Sequence, residues 1–593
     1  MPAVSPLASN TDLVTFRILA DGSEIKSTYQ VRSIEVSKGL NRIGSARLEL
    51  YDGSVSSEDF AASDSADFLP GTELTISAGY HTNNEVIYKG LIVKHGLEVG
   101  ATSLLVLECR DKAAKLTVGR KSTTFADSTD GDAIEKIIDA HGLTATVDST
   151  TVTHPSLVQY YCSDWDFVVA RAEANGLVVI SEQDTVTVAK PKPAATAVLA
   201  LTYGESILSF AVDMDARSQY QAVKVKSWDY TTQAMLEADA APPGVSTPGN
   251  VTGATLAGVM DETSYDLPVA AATTQPELQA HADALLLKSA LAKVRGTVSF
   301  QGSALARPGC TVELAGMGQR FNGTAYVAGV THTVADGNWI TAVTLGLDEQ
   351  WFAEQHPEVA VPALLGPLPG IQGLYNAVVA QIHADPLKEF RVQVKVPALQ
   401  DQLLWARLGH LHASAGSGLF FYPEVSDEVI LGFFNNDPQQ PVVLGSLYSS
   451  TRAPAYTPAE KNNQKGLVTP KLLTISLEDE KKVITISTPG GNKVILDDDA
   501  KSVTVNDSHG NKAVFSSSGI LLDSATSITL KAAQNIELTA TNGITLTATG
   551  DLGLNGLNVN ATAKVSLKAA GNAAAELSAA GQTTVKGAIV MIN

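Results

Sequence analysis

Five apolar pairs at positions i and i+2 recur every eight residues near the carboxyl end: Ile520/Leu522, Ile528/Leu530, Ile536/Leu538, Ile544/Leu546 and Leu552/Leu554. So short a period signals a β-helix or solenoid in which each repeat supplies one short strand. The surrounding stretch, Lys471 to Asn593, has no Arg, Cys or Trp and one aromatic residue, Phe515, so it lacks the bulky side chains of an ordinary core. Each repeat offers two apolar side chains flanked by small or polar residues, and a lone chain would leave that narrow face wet. Three chains wound together would cover it. With strands stacked about 4.8 Å apart, some 15 octads would build a shaft roughly 70 Å long. After Leu554 the phase slips, and it is expected to resume at Leu557/Val559 and Val565/Leu567.

At 593 residues the whole chain is too long for one core and is expected to form about three or four domains. Hydrophobic residues at 44% against 18% charged suit strand-rich modules better than disorder. The net charge is −20, and the shaft, with ten Lys against eleven Asp and Glu, contributes almost none of it. That acidic field, without any Lys/Arg run, excludes a nucleic-acid partner. Met1 to Phe16 has no basic segment followed by an apolar one, and no stretch approaches the length of a membrane span, so assembly in the cytoplasm is expected. Cys109, Cys162 and Cys310 are too scattered for a zinc ribbon or a disulfide framework.

Along the chain, Leu13 to about Leu116 alternates as strands do, for example Ala46-Arg47-Leu48-Glu49-Leu50-Tyr51. Two capped helices follow. Thr129 with Asp132 opens the first, which Gly142 ends, and Ser163 with Asp166 opens the second, which Gly176 ends. A third begins at Thr274-Gln275-Pro276-Glu277 and is expected to run to about Val294, with strands resuming from Thr297 to about Leu347. Pro357, Pro362, Pro367 and Pro369 mark a linker. Beyond it, Phe390-Val392-Val394-Val396 alternates with Arg391, Gln393 and Lys395 as a barrel strand whose apolar residues share one face.

Pro423-Glu424-Val425-Ser426-Asp427-Glu428-Val429-Ile430-Leu431-Gly432-Phe433-Phe434-Asn435-Asn436-Asp437-Pro438, with Pro441 to Tyr448, resembles the OB-fold signature of VgrG and phage tail spike proteins. Ser426 stands where that signature usually has glycine. Ser163-Asp164-Trp165-Asp166-Phe167 through Ala172-Glu173-Ala174-Asn175-Gly176-Leu177 is similar to a segment of the tail-hub domains of the same family. The resemblance implies a mainly β chain with this order: a hub barrel over 1–118, an α/β insert over 119–195, a second hub barrel over 196–352, a linker over 353–370, an OB-fold barrel over 371–450, a linker over 451–470, and a triple-stranded β-helix needle over 471–593.

It further implies a homotrimeric spike of a contractile injection system, type VI secretion, phage tail or extracellular particle alike. The hub would sit on a hexameric tail tube and baseplate. The needle core would be the pairs from Ile520 to Leu554, and Ile589, Val590, Met591, Ile592 and Asn593 would bind a PAAR-like tip protein. Such a spike meets the target membrane mechanically and needs no cofactor, metal or catalysis. With only about 20 residues between Tyr448 and Lys471, and Val585 to Asn593 ending the sequence, neither a lysozyme nor an effector domain is expected. The alternative reading is a trimeric tail spike acting on surface polysaccharide, although such spikes carry acidic, aromatic grooves that an octad repeat does not offer.

Other constellations have plainer explanations. His410-Leu411-His412 would place two imidazoles on one strand face, a polar barrel surface before a metal site. Asp127, Asp130 and Asp132 lack the calcium-loop register and fit helix capping and solvated turns. Asp497-Asp498-Asp499 reads as a solvated turn, and Gly416-Ser417-Gly418 lacks a base to make a nucleophile.

Overall fold

The computed structural model describes residues 3–7, 13–261, 264–269, 274–359 and 370–592. Asn593 and the linker residues Pro362, Pro367 and Pro369 lie outside them. The fold is mainly β and divides into two compact units, Met1–Ser446 and Leu447–Asn593.

In the first unit the two strand-rich stretches expected as hub barrels share one 13-stranded sheet. The seam is the antiparallel pairing of Gln30–Gly39 with Gly323–Ala335, where Val36 faces His332 in register. Alternation decides which residues go inside: in Ser45–Tyr51, Ala46, Leu48 and Leu50 are buried, while Arg47 and Glu49 form ion pairs at the surface. Ile34, Phe68, Leu74 and Leu105 belong to the core of one half, and Val298, Phe300, Leu314 and Val343 to that of the other.

Between the halves lies the α/β insert. Helix α1 (Asp130–Ala140) starts at Thr129, whose side chain accepts from Asp132 N while the Asp132 carboxylate accepts from Thr129 N. Helix α2 (Asp164–Ala174) starts at Ser163, whose hydroxyl accepts from Asp166 N. Gly142 and Gly176, at φ +71° and +68°, take the left-handed turn that ends each helix. Ile134 and Ile138 of α1 pack with Trp165, Val168 and Val169 of α2. Helix α3 (Gln275–Leu291), capped by Thr274 and Glu277, lays Leu278, Ala282 and Leu285 on Val223 and Val225. It stops short of Val294 because that residue opens the next strand, Val294–Gln301.

The five strands Tyr375–Gln381, Val392–Val396, Gln402–Leu408, Glu428–Phe433 and Pro441–Ser446 close into a barrel around Val379, Val394, Ala406, Val429, Leu431 and Val443. Phe390 does not join that interior. The turn before the barrel strand puts it at φ +57°, and it is 80% exposed, so the inward alternation begins only at Val392.

The second unit opens with a seven-stranded antiparallel meander from Gln464–Val468 to Gly519–Asp523. Its first strand lies within the stretch expected as a linker. From 524 to 592 the described residues form neither helix nor strand.

Candidate functional site

Each meander strand holds five residues, so only two side chains per strand face one way. The pairing registers stack these into two columns: Leu477, Ile484, Leu496, Val503, Phe515 and Ile520, beside Ile475, Ile486, Val494, Val505, Ala513 and Leu522. Thr474, Ser476, Thr485, Ser487, Ser502 and Thr504 point to the other side, which is mixed, since Val483, Ile495, Val514 and Leu521 share it. The apolar face stays open, with Leu477 38% and Ile520 68% exposed. Sequence reading caught only its last pair, Ile520/Leu522. The earlier pairs carry the same i, i+2 signal, but hairpin turns space them by nine or ten residues instead of eight.

Beyond Asp523 the chain keeps the octad without any sheet of its own. Among the described residues, none from 524 to 592 pairs in a ladder within the chain, and all from 525 to 592 are exposed. Bends fall at 525–526, 533–534, 541–542 and 549–550, then after one seven-residue step at 556–557, and every eight residues again to 588–589. Ile528/Leu530, Ile536/Leu538, Ile544/Leu546 and Leu552/Leu554 all stand two and four residues past a bend.

The slip after Leu554 is therefore real, but its outcome differs from the expected pairs. Leu557 and Val565 sit in bends, 100% and 98% exposed. The same offset now selects Val559/Ala561, Leu567/Ala569, Ala575/Leu577 and Thr583/Val585, one large side chain with one small. Ile589 lies in the last bend, and Ile589, Met591 and Ile592 are 82%, 85% and 90% exposed, with Val590 at 48%.

A side chain joins the meander to the segment beyond it. Asn511 Oδ1 accepts from Ser524 Oγ at 2.6 Å and from Ala525 N at 3.2 Å, while its Nδ2 donates to Asp507 Oδ2 at 2.7 Å.

In the barrel, the signature residues build turns. Ser426, at φ +76°, occupies the left-handed region that glycine takes without strain. Its N–H donates to Val379 O, and the Asp427 carboxylate accepts from Glu424 N at 2.8 Å. Asp385, which sequence reading missed, accepts from Leu387 N, Glu389 N, Arg391 N and the Arg391 guanidinium, which hold its carboxyl well below the usual range. The loop so fixed displays Phe390, and Tyr422 Oη donates to Phe390 O at 2.9 Å. His410 and His412 lie beyond the strand Gln402–Leu408 and not on it, because the chain leaves the barrel there, and the His410 ring packs near Tyr422.

The first unit holds buried ion pairs that sequence spacing did not reveal. Asp130 is buried and accepts from Arg171 Nε at 2.6 Å and from Arg171 Nη2 and Asn175 Nδ2 at 2.9 Å. Burial pushes its carboxyl up, but these donors outweigh burial and hold it below the ordinary value, so it does more than cap a helix. Asp127 is an exposed residue at φ +45°, and Asp132 caps α1. Glu173 binds Lys288 Nζ at 2.8 Å, Asn41 Nδ2 at 3.0 Å and Phe352 N at 2.6 Å, tying α2 to α3. Burial pushes the Asp111 carboxyl up to about 6, against the pull of its hydrogen bond from Ala113 N. Among the described residues no group of three His, Cys, Asp or Glu side chains is placed to hold a metal ion, and no helix is long and apolar enough to cross a membrane.

Residues 10–336 match the Alg8 N-terminal domain family, and residues 375–448 match the type VI secretion system/phage-baseplate injector OB domain family. The chain is 29% identical over 125 residues to the actin cross-linking toxin VgrG1 of Vibrio cholerae, an alignment covering 20% of this chain and 11% of that relative's length. Among solved structures, it is similar to the 43 kDa tail protein of a Shewanella oneidensis prophage, at 12% identity and TM-score 0.43, over 57% of this chain and 99% of that one. It is also similar to the Francisella PdpA-VgrG complex, at 10% identity and TM-score 0.36, over 87% of this chain and 81% of that one.

Proposed function

From the premise that the chain belongs to the Alg8 N-terminal domain family and carries an injector OB domain, we propose that it is the homotrimeric central spike of a contractile injection machine. The hub stretches 1–118, 119–195 and 196–352 seat on the tail tube and baseplate. The OB-fold barrel, 371–450, leads into a needle, 471–593, whose end at Ile589 to Asn593 carries a PAAR-like tip protein. The spike pierces a membrane by force applied along the needle, without catalysis, and travels with a particle assembled in the cytoplasm.

The observation that supports this reading best is that the backbone from 524 to 592 joins no ladder within the chain. Backbone N–H and C=O groups in an ordered chain need partners. A regular eight-residue repeat with apolar pairs on one side finds partners of matching period in copies of itself. Three copies would give each strand neighbours above and below and each apolar pair a dry interior.

Mass measurement of the purified full chain tests it. A trimer that survives mild detergent is expected, and a monomer with 524–592 protected from hydrogen exchange would sink the proposal. Release of sugars from bacterial or host glycans by the purified trimer would favour the polysaccharide-cleaving reading instead.

A further inference from the structure

We infer that the meander Gln464–Asp523 is the clasp that joins three copies and sets their register, and that the segment beyond it winds only afterwards. This inference rests on the trimeric reading of the shaft.

The two shaft segments satisfy their backbones differently. Every meander strand pairs with its neighbour in the same chain, so the sheet forms without a partner. What it lacks is a cover for one apolar face two side chains wide. Beyond the Asn511 contacts of Ser524 and Ala525, residues 524–592 join no backbone ladder in their own chain, so they gain a ladder only once other copies lie alongside. Association through the meander face therefore comes first.

Register supplies the second argument. Downstream, Ile528-Thr529-Leu530, Ile536-Glu537-Leu538 and Ile544-Thr545-Leu546 are nearly interchangeable. Within 528–546 a slip of eight residues lays Ile on Ile and Leu on Leu, so that stretch does not distinguish right from wrong alignment, and the first break in the repeat comes only at the seven-residue step after 549–550. The meander face does. Phe515 beside Ala513 occurs at one level only, between Val503/Val505 and Ile520/Leu522. A copy slid by one strand would set Phe515 where the others present a smaller side chain.

The third argument is the handover. Asn511, in the meander, accepts from Ser524 Oγ and Ala525 N, so the first bend of the repeat is fixed to the sheet before winding starts. The occupant of the open face is thus the same face of two further copies. A different protein on that face would leave 524–592 without partners of their own period.

Full-length variants compared by native mass after refolding test the proposal. Ile484→Ser with Leu496→Ser, on the meander face, should lower the trimer fraction at least tenfold. Ile544→Ser with Leu546→Ser, the same loss downstream, should leave the trimer intact with 464–523 protected from hydrogen exchange. Thr485→Ala with Thr504→Ala, on the opposite face, should change nothing. Should the meander variant fail to fold at all, Asn511→Ala decides: it should keep the trimer and the protected meander but give two exchange populations over 528–554, the mark of mixed register. A wild-type monomer overturns the trimeric reading and the clasp together. A wild-type trimer that survives the meander substitutions but not the downstream ones, or an Asn511→Ala trimer with one exchange population, overturns the clasp alone.

Discussion

Replacing Ile536 and Leu538 by serine attacks the shaft at one level without touching the meander. In the single chain these side chains are 55% and 62% exposed, so in the proposed trimer more than half of each is left for other copies to cover. Full burial of such a side chain is worth about 1.5–3 kcal/mol, which the exposed fraction scales to roughly 1–2 kcal/mol each. Three chains carry both substitutions, and the cost is therefore roughly 6–12 kcal/mol per trimer, localised around one turn of the winding. Because residues 528–546 have no ladder within their own chain, their amides are protected only by association. Hydrogen exchange there should accelerate at least a hundredfold, which takes about 2.7 kcal/mol, while 464–523 stays protected. Glu537→Gln, between the two on the alternate side, is the control and should change exchange by less than threefold. Equal acceleration by the control, or wild-type exchange over 528–546 at the rate of an unstructured peptide, would refute the reasoning.

Three further outcomes follow from the first unit. Asp111 is buried with its carboxyl raised to about 6, so the folded chain holds a proton that the unfolded chain has released. Its contribution to stability is present below the unfolded value and is lost as pH rises through 6. Between pH 5 and 7 this amounts to somewhat more than about 1 kcal/mol, read as a roughly ninefold change in the exchange-rate ratio of wild type to Asp111→Asn in the strand Leu104–Arg110. Glu173→Leu strands the buried Lys288 and should cost about 3–5 kcal/mol, lowering the hub's thermal midpoint, while adding Lys288→Met should restore most of it. Ser426→Gly relieves left-handed strain of about 1–2 kcal/mol and loses up to about 1 kcal/mol to chain entropy. The net should slow exchange in the barrel strand Glu428–Phe433 by two- to fivefold, and faster exchange would contradict the strain argument.

What the sequence made legible was local. Helix caps at Thr129, Ser163 and Thr274 depend on residues three apart, and the octad on residues eight apart, so both could be read directly. The seam between Gln30–Gly39 and Gly323–Ala335 joins segments about three hundred residues apart, and alternation within a strand names a buried face but no neighbour. The same limit hid the Asp130–Arg171 and Glu173–Lys288 pairs, whose partners lie on different elements. Phe390 failed for a different reason: its place in the alternation was correct, but the Asp385-centred loop turned the backbone before the pattern took hold. The shaft combines both cases. Its period was legible, whereas the change of large/large pairs into large/small ones after Leu554 depends on one missing residue, which shifts Leu557 and Val565 into bends. If the same offset faces the axis throughout, the interior side chains shrink towards the carboxyl end while the period stays fixed. In the proposed trimer three wound chains would then have to draw closer together there to remain packed, so a single deletion in an otherwise uniform repeat would give the proposed shaft a taper.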